Sequence, residues 1–344
     1  MRQLAPDIMD EAARRALVLE SIADMAPVGR RQLAARLMLP EREVRAAAAA
    51  LREQGLIELD ASGMTVTPKG EEILPEVRAL SRSVRGLTEL EARLSAAYGV
   101  ERVCIAPGNA DSDGHVLQDV GRMAASRVRA MLRSGDTLAV TGGSTMAATA
   151  RAMQSAAPLN VMVVPARGGM GRSVETQANT LAAEIAQRLG GHHRLLHLPD
   201  HMDEAARQEM LKLPEVRETI DRLQRADVIL HGVGRADDTA RERELPASLV
   251  RRLRDGGAVA EALGYYFDEG GRALLASSSV GIDLEGLRPS CRMVAVAAGA
   301  RKAQAIAAVM RSRPYALLVT DEGAAKQMLA ILKTNTGCSS DTEA

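Results

Sequence analysis

A glycine turn that presents two hydroxyl groups is the part of this sequence with the clearest chemistry. Residues 141–145 read Thr-Gly-Gly-Ser-Thr, directly after the run 136–140 and before an alanine-rich stretch. Backbone N–H groups and hydroxyls at such a turn point to one spot, where the N-terminus of the following helix adds about half a positive charge. Gly143, Ser144 and Thr145 are therefore predicted to bind a phosphate group.

Four more loops with unusual groups each follow a short apolar run. They are residues 165–171 with Arg167, residues 231–234, residues 297–302 with Lys302, and residues 321–323. Ligands of doubly wound sheets bind beyond the carboxyl ends of the strands. We therefore expect the five loops to form one crevice of amides, hydroxyls and cations, which suits a phosphorylated anion.

The segments between these loops predict an α/β fold. Short apolar runs (102–106, 137–140, 160–164, 193–197, 228–230, 293–296 and 316–320) alternate with helical stretches (119–133, 145–154, 176–189, 203–224, 246–254 and 301–311). This alternation predicts a doubly wound, mostly parallel sheet. The fingerprint G-x-G-x-x-G is incomplete, because Asp237 stands at its third glycine position, and this argues against a dinucleotide site.

The first 70 residues predict a winged helix-turn-helix. Their pattern indicates a helix at 8–25, a short helix at 30–37, a turn at 38–40, a strong helix at 41–54, a hairpin around Gly63 and a further helix from Pro68. In that arrangement the helix beginning near Pro40 enters the major groove of DNA.

Basic residues on this module are the candidate DNA contacts. Arg42 and Arg45 lie in the first turns of the groove-entering helix, and Arg30 and Arg31 flank it. Arginine suits bidentate contact with guanine or phosphate. Lys69, placed at the end of the wing, is expected to touch backbone phosphate. Two alternatives stay open: a solvated helix face, and a winged helix that docks a protein.

Composition limits the possible partners and compartments. The 44 basic and 44 acidic side chains cancel, so DNA contact must rely on local charge. Three scattered cysteines and the lack of a signal-like or membrane-length apolar segment predict a cytoplasmic protein without membrane contact. The histidines at 192, 193, 197 and 201 fall in or near a strand-like run, and we expect no metal there.

Several motifs, in order, resemble the SorC family of bacterial sugar-responsive regulators. After the winged helix-turn-helix these are Val-Thr-Gly-Gly-Ser-Thr at 140–145, Val-Pro-Ala-Arg-Gly-Gly at 164–169, Gln-Ala-Asn-Thr at 177–180, Ala-Glu-Ala-Leu-Gly-Tyr-Tyr-Phe at 260–267, Lys-Ala-Gln-Ala-Ile at 302–306 and Val-Thr-Asp-Glu-Gly-Ala-Ala at 319–325. The resemblance covers residues 8 to 331. It implies a C-terminal domain related to sugar-phosphate isomerases that serves as an effector sensor.

The resemblance also implies a function. The protein would be a repressor of glycolytic genes and a tetramer on its operator DNA. Its effector would be fructose 1,6-bisphosphate or a related sugar phosphate, with no catalytic residue and no cofactor.

Site residues follow from the resemblance position by position. Gly143, Ser144 and Thr145 would hold one phosphate with the charge of Lys302. Arg167, Gly168 and Gln177 would serve the other phosphate or the sugar. Glu261 would accept sugar hydroxyls. A further arginine would be Arg241 or Arg243, of which Arg243 is favoured.

These patterns divide the chain into three parts. Residues 1–85 would be the DNA-binding domain with its connector, 86–333 the effector-binding and oligomerisation domain, and 334–344 a disordered polar tail. The alternative function is a sugar-phosphate isomerase or deaminase with an accessory winged helix. Such an enzyme needs a general base, for which Glu261, Asp321 and Glu322 are available.

Overall fold

The computed structural model describes residues 6–168, 173–198, 202–276 and 280–337. The chain divides into two compact units, Met1–Thr88 and Glu89–Ala344. The sequence placed this division three residues earlier, between 85 and 86. In the described part of the chain, no helix combines the length and the apolar character needed to cross a bilayer.

The first unit contains four helices and a small antiparallel hairpin among its described residues. In chain order they are α1 Pro6–Met25, α2 Arg30–Leu37, α3 Glu41–Glu53, β1 Ile57–Leu59, β2 Met64–Val66 and α4 Pro68–Val84. Val44, Ala47 and Leu51 of α3 recur at helical spacing and are buried, which turns the arginine-bearing side of α3 outward. The order of elements is the one that the sequence predicts.

The second unit is built on a seven-stranded sheet whose paired strands are all parallel. Its strands are β3 Val103–Ala106, β4 Thr137–Val140, β5 Met162–Pro165, β6 His192–His193, β7 Val228–Gly232, β12 Arg292–Val296 and β13 Leu317–Asp321. They lie in the order β3-β13-β12-β7-β4-β5-β6. The order changes direction between β4 and β7, and this is the position where ligands bind in such sheets.

Helices connect and cover these strands. They are α5 Leu87–Tyr98, α6 Gly114–Met131, α7 Ser144–Ala152, α8 Ala178–Leu189, α9 Glu204–Lys212, α10 Pro214–Gln224, α11 Ala236–Glu242, α12 Ala247–Asp255, α13 Ala303–Ser312 and α14 Glu322–Gly337. Two expectations are corrected. The predicted helix 203–224 is two helices, because Pro214 cannot continue α9 and begins α10 instead. Residues 334–337, expected in a disordered tail, continue α14, while 338–344 lie outside the described residues.

A second, antiparallel sheet is absent from the sequence-based prediction. Its strands β8 Gly234–Arg235, β9 Ala258–Ala262, β10 Tyr265–Asp268 and β11 Ala273–Ala276 lie in the order β11-β10-β9-β8. It begins two residues after β7, so it borders the carboxyl end of the parallel sheet.

Alternation along the parallel strands separates the two faces of the large sheet. Leu138 and Val140, Val228 and Leu230, and Val294 and Val296 belong to one buried cluster with residues of α6, α7 and α8. His231 occupies the alternate position on β7, and its exposed fraction is 0%. Its Nδ1 lies 2.9 Å from the carbonyl oxygen of Gly232, and its ring packs on Tyr315. Burial lowers the pKa of His231 to about 4.

Candidate anion site and nucleic-acid interface

A cavity of about 570 Å³ lies over the carboxyl ends of four adjacent strands of the second unit. The loops after β12, β7, β4 and β5 contribute to its wall, and these strands are neighbours in the sheet. All nine residues that the sequence predicted for the effector site line it: Gly143, Ser144, Thr145, Arg167, Gly168, Gln177, Arg243, Glu261 and Lys302. Residues 169–172 of the loop after β5 lie outside the described residues.

The glycine turn places the start of α7 at this cavity. Gly142 packs so closely that a Cβ there would lie 2.4 Å from the carbonyl oxygen of Thr176, and Gly143 has a φ of 117°. The N–H of Gly143 donates to that same oxygen at 2.9 Å. Gly143 is also the N-cap of α7 and has no side chain to occupy the first-turn N–H groups of Ser144 and Thr145.

A hydroxyl joins this turn to the next strand. The N–H of Gly232, at the end of β7, donates to Thr141 Oγ1 at 3.0 Å. Since Thr141 and Gly232 both line the cavity, the bond fixes two of its four loops against each other.

A buried carboxylate organises two arginines of the cavity. Glu261 Oε1 accepts hydrogen bonds from Arg243 Nη2 at 3.0 Å and from the N–H of Gly264 at 2.9 Å, and it lies 3.8 Å from Arg167 Nη1. The side chains of Glu261 and Arg167 are 9% and 10% exposed. A buried carboxylate needs such partners. Glu261 Oε1 therefore orients two arginines, a role that the sequence patterns did not predict. Its role toward sugar hydroxyls stays a prediction.

The structure distinguishes the two arginines that the sequence left open. Arg243 lines the cavity with 24% of its side chain exposed. Arg241 is 78% exposed, its nearest carboxylate is Asp238 at 3.8 Å, and it is not among the described residues that line the cavity.

Lys302 brings a partly desolvated ammonium group to the cavity. Burial, and then the nearby charge of Arg301, lower its pKa, while Glu242 and Asp111 oppose this effect. Among the residues that the structure describes, no carboxylate forms an ion pair with Lys302.

The fifth loop is placed differently from the expectation. No residue of 321–323 is among the described lining residues. Asp321 instead accepts backbone hydrogen bonds from Gly299, Ala110 and Ala324 at 2.7–3.1 Å. Glu322 accepts from Lys326 Nζ at 2.6 Å and from a backbone N–H. Both carboxylates are thus engaged in holding loops and do not provide a general base at the cavity.

Further charged groups line the cavity without having been predicted. Arg235 follows the Gly232–Gly234 segment and Arg301 precedes Lys302, so both adjoin loops that the sequence did single out. Asp238 and Glu242 lie at i and i+4 on α11, which places them on one helix face. Among the described lining residues, five cations face three carboxylates, a net formal charge of +2. This surplus attracts an anion.

The four predicted DNA-contacting arginines lie at the starts of two helices, Arg30 and Arg31 in the first turn of α2 and Arg42 and Arg45 in the first turns of α3. Arg30, Arg31, Arg42 and Arg45 are all exposed. Glu41 Oε1 lies 3.4 Å from Arg45, and Glu41 Oε2 lies 3.9 Å from Arg31. Exposed ion pairs of this kind are worth about 0–1 kcal/mol, so they leave these arginines available to phosphate or base edges.

Lys69 does not join this group. The tip of the hairpin is residues 60–63, whereas Lys69 is the second residue of α4. Its ammonium donates to the carbonyl oxygen of Gln54 at 2.9 Å, just past the C-terminus of α3. This end of a helix favours a cation. The axis of α3 rises about 18 Å from Arg42 to Gln54, so Lys69 lies at the opposite end of this helix from Arg42.

The histidines at 192, 193 and 197 do not assemble a metal site. Within the described ranges, no group of three or more His, Cys, Asp or Glu residues could hold a metal ion. His201 lies outside those ranges.

Comparison with protein families matches both units. A family described as "CggR N-terminal DNA binding domain" matches residues 12–80. A family described as "Putative sugar-binding domain" matches residues 82–330.

Whole-chain relatives agree with these matches. The central glycolytic genes regulator of Priestia megaterium is 37% identical over 95% of this chain and 96% of its own length. The regulator of the same name in Bacillus subtilis is 35% identical over 95% of this chain and 97% of its own length.

Solved structures carry the same fold. A putative SorC family transcriptional regulator from Enterococcus faecalis has a TM-score of 0.66 and 33% identity, covering 70% of this chain and 99% of that one. The full-length sorbitol operon regulator SorC from Klebsiella pneumoniae has a TM-score of 0.65 and 20% identity, covering 88% and 94%. The chain therefore belongs to the SorC family of sugar-responsive transcriptional regulators, and it is a DNA-binding regulator rather than an enzyme.

Proposed function

We propose that this chain represses glycolytic genes and that a phosphorylated sugar, such as fructose 1,6-bisphosphate, controls it from the cavity of the second unit. The observation that carries the proposal is the cavity itself, where an open helix N-terminus and five cations converge from four loops. Such groups recognise phosphate. The names of the central glycolytic genes regulators support the choice of genes.

The two ends of a bisphosphate would meet different chemistry. The first-turn N–H groups of α7, the hydroxyls of Ser144 and Thr145, and Lys302 would hold one phosphate. Arg167 and Arg243, oriented by Glu261, would hold the other, with Gly168 and Gln177 beside it. The remaining oxygen of Glu261 would accept a sugar hydroxyl, which discriminates strongly against an analogue that lacks it.

Operator binding tests the proposal directly. Fluorescence anisotropy with the DNA upstream of the chain's own gene should show specific binding, and fructose 1,6-bisphosphate should change the affinity or the stoichiometry of the complex. Unphosphorylated fructose is the control and should have no effect. An equal response to both sugars would contradict the assignment of a phosphate site. Absence of DNA binding under all conditions would contradict the repressor function.

We also propose a tetramer on a repeated or palindromic operator, because symmetric regulators bind symmetric sites. A chain that acts on operator DNA would work in the bacterial cytoplasm. Sedimentation with and without operator checks the assembly, and a monomer in both cases would contradict it.

Substitution of the α3 arginines should separate base contacts from phosphate contacts. We propose that the N-terminal unit docks as a winged helix-turn-helix, with α3 in the major groove. Arg42→Ala should then cost about 1–3 kcal/mol of operator binding and relax specificity at one base. The measurement is anisotropy on operator variants at fixed salt concentration.

Lys69→Ala is the matched control for this series. It removes one positive charge from the same unit, but at the opposite end of α3. It should leave sequence preference unchanged. If Arg42→Ala and Arg45→Ala both bind the operator like the unsubstituted chain, α3 is not the recognition helix.

Arg243 and Arg241 offer a paired test inside the second unit. Arg243→Met removes a cavity cation, and we expect most of the thermal shift induced by fructose 1,6-bisphosphate to disappear. It also deprives Glu261 of its closest ionic partner, so the ligand-free melting temperature should fall by several degrees. Arg241→Met removes the same charge outside the cavity and should change neither quantity. Equal ligand shifts in both variants would exclude Arg243 from the site.

A further inference from the structure

The short turn that carries Lys302 is held by side chains from distant loops. It is a 3₁₀ turn, Ala300–Lys302, preceded by Gly299. Three consecutive N–H groups, from Gly299 through the first two residues of the turn, each donate to a different side chain. Gly299 donates to Asp321 at 3.0 Å, Ala300 to Asn109 at 3.3 Å, and Arg301 to Asp111 at 2.9 Å. These N–H groups are therefore used inside the protein.

Asp111 holds this turn twice. Its Oδ2 accepts from the backbone N–H of Arg301, and its Oδ1 lies 3.2 Å from Arg301 Nε. The backbone bond fixes the main chain of the residue next to Lys302, whereas the ion pair to the exposed guanidinium adds little. Asp111 belongs to the loop after β3 and is not among the described residues that line the cavity.

The loop of Asp111 is itself anchored at the carboxyl end of β13. The N–H of Ala110 donates to Asp321 Oδ2 at 2.7 Å, and the N–H of Gly108 donates to Glu322 Oε2 at 3.1 Å. Side-chain acceptors from two neighbouring loops thus support the turn from the side away from the cavity. Such outer contacts determine how accurately a binding group is held.

We propose that Asp111 is a positioning residue for the anion site: by fixing Arg301 it sets the place of the Lys302 ammonium against the phosphate of the ligand. The assignment of the ligand rests on the proposed function. The hydrogen bonds to Arg301 do not depend on it.

The test is titration calorimetry of the full chain with fructose 1,6-bisphosphate. Asp111→Ala should weaken binding about tenfold, whereas Asp111→Asn, which keeps an oxygen acceptor for the Arg301 N–H, should stay within about threefold of the unsubstituted chain. Asp113→Ala is the matched control, since Asp113 lies in the same loop but caps α6. It should lower stability and leave affinity within twofold.

Equal weakening by Asp111→Ala and Asp113→Ala would show general loosening of the loop and overturn the proposal. Unchanged affinity in Asp111→Ala, or Asp111→Asn binding as weakly as Asp111→Ala, would also overturn it. A ligand-free measurement separates this proposal from the proposed function. Acetylation of Lys302 by acetic anhydride, followed by mass spectrometry, should be at least about threefold faster in Asp111→Ala than in Asp111→Asn, because both variants lack the Asp111 charge that raises the pKa of Lys302 and only the loosened turn of Asp111→Ala exposes the amine further.

If the unsubstituted chain binds no fructose 1,6-bisphosphate, the proposed function fails and the acetylation rate decides about Asp111. Equal acetylation rates in Asp111→Ala and Asp111→Asn would then overturn the positioning role.

Discussion

Lys302→Met is expected to lose about a hundredfold in affinity for fructose 1,6-bisphosphate while the ligand-free protein keeps its stability. Removing one partner of a desolvated charge pair costs about 2–5 kcal/mol of binding, and a hundredfold corresponds to about 2.7 kcal/mol. In the absence of ligand the ammonium is partly buried, and no carboxylate among the described residues pairs with it. Methionine keeps most of the length of the side chain and removes the charge that burial disfavours.

Thermal melts with and without ligand measure both parts of this expectation. At a hundredfold excess over the dissociation constant, a ligand stabilises the unsubstituted chain by about 2.7 kcal/mol. At that concentration Lys302→Met should retain only a few tenths of a kcal/mol. Arg241→Met is the control, since it removes a cation outside the cavity. If fructose 1,6-bisphosphate raised the melting temperature of Lys302→Met as much as that of the unsubstituted chain, Lys302 would not contact the ligand.

His231 is expected to make the second unit unstable in weak acid. Its side chain is fully buried, and burial holds its pKa at about 4. In the unfolded chain the ordinary value is about 6.5. Between these two values the unfolded chain binds a proton that the folded protein does not. The free energy of unfolding should therefore fall as the pH decreases from about 6.5 to about 4, by about 3 kcal/mol, and this contribution is constant above pH 6.5.

Urea unfolding at several pH values between 4.5 and 7.5 checks this expectation. His231→Asn cannot titrate, and its amide nitrogen can still donate to the carbonyl oxygen of Gly232. The variant should be less stable at pH 7 and should lack the His231 part of the pH dependence. His115→Asn, an exposed position on α6, should keep it. The same slope in His231→Asn and the unsubstituted chain would show that other groups cause the acid sensitivity.

The parts of the site that depend on local backbone geometry were predictable from the sequence. The turn at Gly142 and Gly143 is an example, because a glycine pair between a strand and a helix has few other conformations. The carboxyl ends of parallel strands must meet at one edge, so Arg167 and Lys302 were expected near that turn although they are 135 positions apart in the sequence.

The parts that depend on tertiary contacts were not predictable. The role of Glu261 Oε1 comes from Arg243 and Gly264, and no spacing rule indicates such a contact. Asp321 looked like a cavity residue because it ends a strand, yet its strand β13 lies beyond β12 and its carboxylate is used by backbone N–H groups. The second sheet was missed because β8 has two residues and β9 is rich in alanine, a poor strand former.

The carboxylate between two arginines has a consequence for how the sensor responds. Glu261 acts as an internal counterion, so the cavity is partly neutralised even when it is empty. Under the proposed function, a phosphate of the effector would share Arg243 and Arg167 with this resident carboxylate. Part of its binding free energy would then offset the weakened contacts of Glu261, which would raise the effector concentration at which the protein responds. Chloride or inorganic phosphate would gain too little from this exchange, so the site would favour a ligand that makes contacts at both ends of the cavity.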